Sequence, residues 1–128
     1  MNIENYNIQQ EVENERQIAI DFDGVIHANS KGFYDGTIYD DPIPGSLDAL
    51  KYLHGLGYNI IIFTAKAKSD RPLINNMTGK ELIIQWLQKH DMINYITDIT
   101  AEKPRAKFYI DDKAITFTNW VDVLKIIN

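Results

Sequence analysis

From Gln17 onward the chain alternates short apolar runs with stretches whose apolar residues recur at helical spacing. Ile18, Ala19 and Ile20 form an unbroken apolar run ending at Asp21, which predicts a central strand buried on both faces. Residues 24–44 are rich in Gly, Pro, Asp and Tyr and predict a loop or small hairpin. Leu47, Leu50, Leu53 and Leu56 then recur along one helical face with Ala49 beside them; the pattern predicts a helix capped by Ser46 and stopped by Gly57. A second apolar run over 58–63 predicts a buried strand ending at Thr64-Ala65, and the polar stretch 66–77, broken by Pro72, predicts a loop. Thr78-Gly79-Lys80-Glu81 has the capping-box pattern, and Leu82, Ile83, Trp86 and Leu87 give the helix behind it one apolar face. Strands are predicted over 96–100 and 107–110, the latter running into Asp111-Asp112, with a short fifth over 114–117. Asn119 reads as the cap of a last helix that turns Trp120, Val123, Leu124 and Ile127 inward.

This β-α-β-α-β-β-α order predicts an α/β fold: a single Rossmann-like three-layer domain over 17–128, with a mostly parallel sheet and helices on its faces. Residues 1–16 are polar and weakly patterned, an N-terminal arm or loosely docked helix. Topology makes position informative. Asp21, Asp23, Thr64, Asp111 and Asp112 all fall at or just past the carboxyl ends of predicted strands, where open α/β sheets place their ligands.

Composition narrows the chemistry. The 128 residues suffice for one domain, and 45% of them are apolar, enough for a continuous core. No cysteine is present, so disulfides, thiolate metal sites and cysteine nucleophiles are excluded. A net charge of −5 argues against broad non-specific nucleic-acid binding. No apolar run is long enough to cross a bilayer, and the acidic, polar start lacks the features of a signal peptide, so a cytoplasmic protein without membrane contact is expected.

The acids carry the candidate chemistry. In Asp21-Phe22-Asp23-Gly24-Val25 a carboxylate follows a buried strand, a second lies two residues on, and Gly24 allows a sharp turn between them and the loop. Two acids so close resist sharing one site unless a cation or proton offsets their repulsion. The plainer reading of the same residues is a strand end with an Asp-Gly turn. Asp111-Asp112, a costly pair to bury unpaired, reads either as part of an oxygen-ligand cation site or as a solvated loop. Thr64 can donate a hydroxyl to a phosphoryl oxygen or serve as a strand-end cap. Lys103, before the fourth strand, can reach back to neutralise charge or be a surface lysine.

These residues together resemble the haloacid-dehalogenase superfamily of aspartyl phosphatases over 17–128. IAIDFDGV (18–25) is similar to its first motif, IIIFTA (60–65) to its second, and KPRAKFYIDDKA (103–114) to the third-motif lysine and fourth-motif acid pair. The resemblance implies a Mg²⁺-dependent phosphatase that cleaves phosphate monoesters through an aspartyl-phosphate. Asp21 would be the nucleophile and Asp23 the general acid and then base. Thr64 and Lys103 would hold the phosphoryl oxygens, and Gly24, Ala65 and Lys66 would contact substrate. Mg²⁺ would sit on Asp21, the Asp23 carbonyl and Asp111, with Asp112 in support. The presence of Asp23 points to ester hydrolysis, since dehalogenase-like members lack the second acid. The alternative from another class is a catalytically silent metal- or phosphate-binding module of the same fold.

The intervals from Asp23 to Thr64 and from Thr64 to Lys103 each hold about 40 residues including a helix, too few for the cap domain that the resemblance would place there. An open, capless site is therefore expected, roofed only by the loop 24–44, whose His27, Phe33, Tyr34, Asp35 and Tyr39 either touch substrate or pin the loop. Such a site admits a large substrate or is covered by another subunit of a homo-oligomer. The stretch GFYDG (32–36) and the loop 66–77 resemble, more faintly, the 3′-phosphatase domains of polynucleotide kinase–phosphatases. Substrates left open are a phosphorylated nucleic-acid end, a nucleotide and a sugar phosphate. Lys66, Lys68, Arg71 and Lys80 are either a phosphate-backbone path or, more plainly, a solvated basic loop.

Overall fold

The computed structural model of the chain describes residues 16–111 and 119–127. The expected fifth strand at 114–117, Asp112, and nearly all of the N-terminal arm lie outside the described residues. Four strands, β1 (Gln17–Asp21), β2 (Asn59–Phe63), β3 (Asp98–Thr100) and β4 (Phe108–Ile110), form an all-parallel sheet in the order β3-β2-β1-β4. Ile18 pairs with Ile60 and Phe108, Ile20 with Ile62 and Ile110, and Ile62 with Ile99. Strand side chains alternate, so this register puts Ile18, Ile20, Ile60, Ile62, Ile99 and Ile110 on one face. All six are buried and join one core with the apolar faces of α1 (Ser46–Gly55), α2 (Gly79–Lys89) and α3 (Trp120–Ile127). Branched isoleucines suit such a pleated, fully covered surface. The other face carries Ala19, Ile61 and Tyr109. The Tyr109 hydroxyl donates to the Pro104 carbonyl (2.6 Å) and accepts from the Ala106 amide (3.2 Å), tying the segment 101–107 to that face.

The predicted α/β, Rossmann-like architecture is therefore present, and the local signals explain most of its boundaries. Thr78 and Glu81 form the reciprocal capping box, each side chain 3.1 Å from the other's amide. The Asn119 side chain caps α3 by accepting from the Asp122 amide at 2.9 Å. Gly57 ends the α1 connection at φ 92°, a conformation that favours glycine. One cap differs from the sequence expectation. Ser46 is the first residue of α1, and Gly45, at φ 90°, precedes it with no side-chain bond. The buried Ser46 hydroxyl instead donates to the Ile43 carbonyl (2.7 Å) and accepts the Trp120 indole N–H (3.1 Å). A buried indole N–H needs an acceptor, and that need binds α1 to α3. The third strand also begins later than its apolar pattern suggests, at Asp98, where its pairing with Ile61 of β2 begins. Among the described residues no helix is long and apolar enough to cross a membrane.

Candidate active site

Strand alternation explains the first acidic motif. Phe22 points into the core, fully buried, stacked 5.6 Å from His27 and edge-on 5.2 Å from Trp86. Asp21 and Asp23, on either side of it, must turn the other way. The Phe22 carbonyl then accepts from the amides of Val25, Ile26 and His27, at 3.3, 2.9 and 3.0 Å, and Gly24 at φ 82° lets the chain fold back this tightly. Asp21 is fixed from its own side: its carboxylate accepts the Phe22 amide at 2.7 Å.

The turn brings His27 back to Asp23. His27 is fully buried, and its Nδ1 lies 2.8 Å from Asp23 Oδ1 while its Nε2 accepts the Asp40 amide at 3.1 Å. A ring that accepts at Nε2 carries its proton on Nδ1, so His27 is a neutral donor to Asp23. The Asp40 carbonyl in turn accepts the Trp86 indole N–H at 2.9 Å, which anchors this layer to α2.

From the second strand comes Lys66. Thr64 is extended, its amide bonded to the Thr100 carbonyl (2.9 Å), and its hydroxyl accepts the Lys66 amide (3.3 Å) to cap the 3₁₀ turn Ala65–Ala67. Accepting that bond leaves the Thr64 hydroxyl proton to donate. The turn aims Lys66 at Asp23, with Nζ 2.9 Å from Oδ1 and 2.8 Å from Oδ2. Lys66 is buried, so the expectation that it belongs to a solvated basic loop is corrected. Its place depends on Gly79. A Cβ at Gly79 would stand 1.7 Å from the Lys66 carbonyl oxygen, so α2 can approach the turn only with glycine there. Burial pushes the Asp23 carboxyl up, but the hydrogen bonds from His27 and Lys66, with the Lys66 charge, outweigh it and hold the group below the ordinary aspartate value of 3.8.

Asp111 reaches the site from β4. It follows Ile110, the partner of Ile20, so Asp21 and Asp111 each stand one residue beyond a paired position on neighbouring strands. Asp111 is buried, and Lys103 Nζ lies 3.2 Å from its Oδ2, resting 4.4 Å over the Tyr109 ring and 5.7 Å from that of Phe63. Among the described residues the buried polar side chains are His27, Ser46, Thr64, Lys66 and Asp111, and all but Ser46 gather at this end of the sheet. Buried charge is costly, and its concentration at strand carboxyl ends makes this edge the candidate site.

An open cavity of about 430 Å³ lies there, lined by Asp21, Asp23, Thr64, Ala65 and Lys66 and walled by Asn29, Phe33, Phe63, Arg71 and Ala101. Five of the expected site residues thus line it. Gly24, Lys103 and Asp111 do not, Lys103 and Asp111 being paired with each other, and Asp112 is outside the described residues. The loop aromatics divide. Tyr39 pins the loop, its hydroxyl accepting the Lys31 amide and donating to the Gly32 carbonyl, both at 2.7 Å, with its ring edge-on to His27. Phe33 is 60% exposed. The basic path is not assembled: Lys66 is held by Asp23, Lys80 lies 3.9 Å from Asp98, and Arg71 is the member besides Lys66 that lines the cavity. Of the two roles open to His27, contact with substrate or support of the loop, the structure gives it the second: it is a buried support. Its signal was the four-residue spacing from Asp23 across a glycine turn.

The fold and site define a class: a parallel Rossmann-like α/β domain with an acidic cleft, backed by a buried lysine, at the carboxyl edge of its sheet. No protein-family model matches the chain, and no curated protein is significantly similar to it in sequence. A conserved protein from Bacteroides thetaiotaomicron has a similar structure, with a TM-score of 0.56 over 89% of this chain and 90% of that one at 21% identity. The two share the fold.

Proposed function

We propose that the chain is a phosphatase that hydrolyses phosphate monoesters through an aspartyl-phosphate on Asp21. One observation carries this reading. Two carboxylates on one face of a strand end differ in environment: Asp21 is held by the adjacent amide, whereas Asp23 is clamped between a neutral histidine and a buried lysine in the same cleft. Acids whose surroundings differ in this way are suited to different roles. An Asp21 oxygen attacks phosphorus as the P–O bond to the alcohol breaks, and the departing oxygen takes a proton from Asp23. Asp23 then takes a proton from the water that attacks the aspartyl-phosphate, releasing phosphate and restoring Asp21.

Lys66 links the two half-reactions. Paired with Lys66, Asp23 is a carboxylate, the form needed as base. An arriving phosphate dianion competes for the same ammonium group, and as Lys66 turns to it Asp23 keeps the His27 hydrogen bond but loses the charged partner that favours its ionised form, which eases uptake of a proton. Thr64 offers its hydroxyl proton to a phosphoryl oxygen, as an oxyanion donor does.

Mg²⁺ suits the donors. Asp21, Asp111 and the Asp23 carbonyl are all oxygen ligands, and one or two carboxylates with waters suffice for this ion, although among the described residues no three His, Asp or Glu side chains group as a metal site. When bound, the ion would offset the repulsion between carboxylates and phosphate. The test is turnover of p-nitrophenyl phosphate with Mg²⁺ and again after EDTA. Turnover that EDTA abolishes and Mg²⁺ restores is expected. Folded, Mg²⁺-supplied protein without turnover of this or a panel of phosphorylated metabolites would leave a silent binding module.

A further inference from the structure

A second cavity, about 290 Å³ and lined by Phe33, Asp35, Arg71, Pro72 and Ile74, adjoins the acidic cleft and shares Phe33 and Arg71 with it. Two loops build it. In 68–78, Ile74 and Met77 exchange amide–carbonyl bonds at 3.0 Å across Asn75 and Asn76, both in the left-handed region at φ 53° and 63°, a tight hairpin turn. In 32–36, Gly36 meets that hairpin so closely that a Cβ there would lie 2.2 Å from Ile74 Cδ1 and 3.2 Å from the Phe33 ring. The glycine lets the loops converge, and their convergence sets Phe33 beside Arg71, whose guanidinium lies 5.8 Å from the ring centroid. Phe33 nevertheless stays 60% exposed, so it does not serve to bury the loop.

We infer that this second cavity is a ring-binding subsite, which takes the flat end of a phosphate monoester while the acidic cleft takes its phosphate. The inference rests on the phosphatase reading and names its substrate class: a nucleoside monophosphate. A flat ring stacks on Phe33 whatever its hydrogen-bonding edge, and the planar, cationic Arg71 complements both a π face and the phosphate side of the ligand. Pro72 and Ile74 supply an apolar wall that a simple polyol cannot use. The Asp35 carboxylate at the rim and the net charge of −5 oppose further phosphates, which favours a monophosphate over a polynucleotide.

The test is calorimetric titration of Asp21→Asn protein, in which the ligand is not consumed, with adenosine 5′-monophosphate and with glycerol 3-phosphate. The nucleotide is expected to bind at least about tenfold more tightly, as base–aromatic stacking permits. Phe33→Ala added to this protein should erase that preference, and Phe33→Tyr should keep it. Equal affinities, no binding of either ligand, or a preference that survives Phe33→Ala would overturn the inference, as would an equal loss for both ligands in Phe33→Ala. Turnover by the wild-type protein decides the phosphatase reading separately, so failure of one is distinguishable from failure of the other.

Discussion

Replacing Lys66 with methionine keeps most of the buried stem and removes only the ammonium group, so it isolates the ion pair with Asp23. The pair is bidentate, at 2.8 and 2.9 Å, with the lysine side chain 8% exposed and the aspartate 24%. Breaking a fully buried pair costs about 3–5 kcal/mol and an exposed one under about 1 kcal/mol, so this half-sheltered pair should cost about 1–3 kcal/mol at neutral pH. For a domain of this size that is a fall of roughly 3–10 °C in Tm. The pH dependence gives the sharper check. Asp23 titrates below its ordinary value of 3.8 in the folded protein. A carboxyl with a depressed pKa contributes stability that is complete above the unfolded value and lost as pH falls through the folded one. The deficit of Lys66→Met should therefore be full at pH 7 and shrink below about pH 4, where Asp23 protonates in the wild-type protein as well. Urea unfolding of both proteins at pH 7, 5, 4 and 3 measures it. A deficit that is absent at pH 7, or that grows on acidification, would refute this account of how Lys66 and Asp23 are held together.

Gly79→Ala should destabilise the protein by about 1–3 kcal/mol and reduce turnover, because the methyl would meet the Lys66 carbonyl 1.7 Å away; an unobstructed Gly→Ala at a helix position would instead stabilise by up to about 1 kcal/mol, so the sign of the Tm shift decides. Asp23→Asn should slow cleavage of nucleotide and sugar phosphates by about 100-fold or more, and of p-nitrophenyl phosphate far less, since nitrophenolate departs without a proton. Equal losses for the two substrate types would give Asp23 an architectural role only.

The acids were legible because strands inside a parallel sheet are written as apolar runs, and the residue after such a run sits at the carboxyl edge of the sheet. Ile18–Ala19–Ile20 before Asp21 and Phe108–Tyr109–Ile110 before Asp111 located both carboxylates without knowledge of any contact. The same local reasoning found the Thr78–Glu81 box. It failed where a partner is far along the chain. Lys66 reaches 43 residues back to Asp23, and nothing in a polar stretch containing Lys66, Lys68 and Arg71 marks which cation is buried. Ser46 precedes a helical pattern and so resembled a cap, but its hydroxyl is committed to Trp120, 74 residues away. Gly79 looked like an ordinary member of a capping box, and its tight contact with the Lys66 backbone exists only once α2 has docked.

In the proposed reaction Asp21 is the group that accepts the phosphoryl. Wild-type and Asp21→Asn proteins, matched for Tm, should be compared for turnover of p-nitrophenyl phosphate in Mg²⁺ under the same conditions. Steady turnover by the first and a loss of at least about a thousandfold in the second are expected, since the amide is isosteric but no nucleophile. An Asp21→Asn protein that retains more than about a thousandth of wild-type activity would contradict covalent catalysis by Asp21.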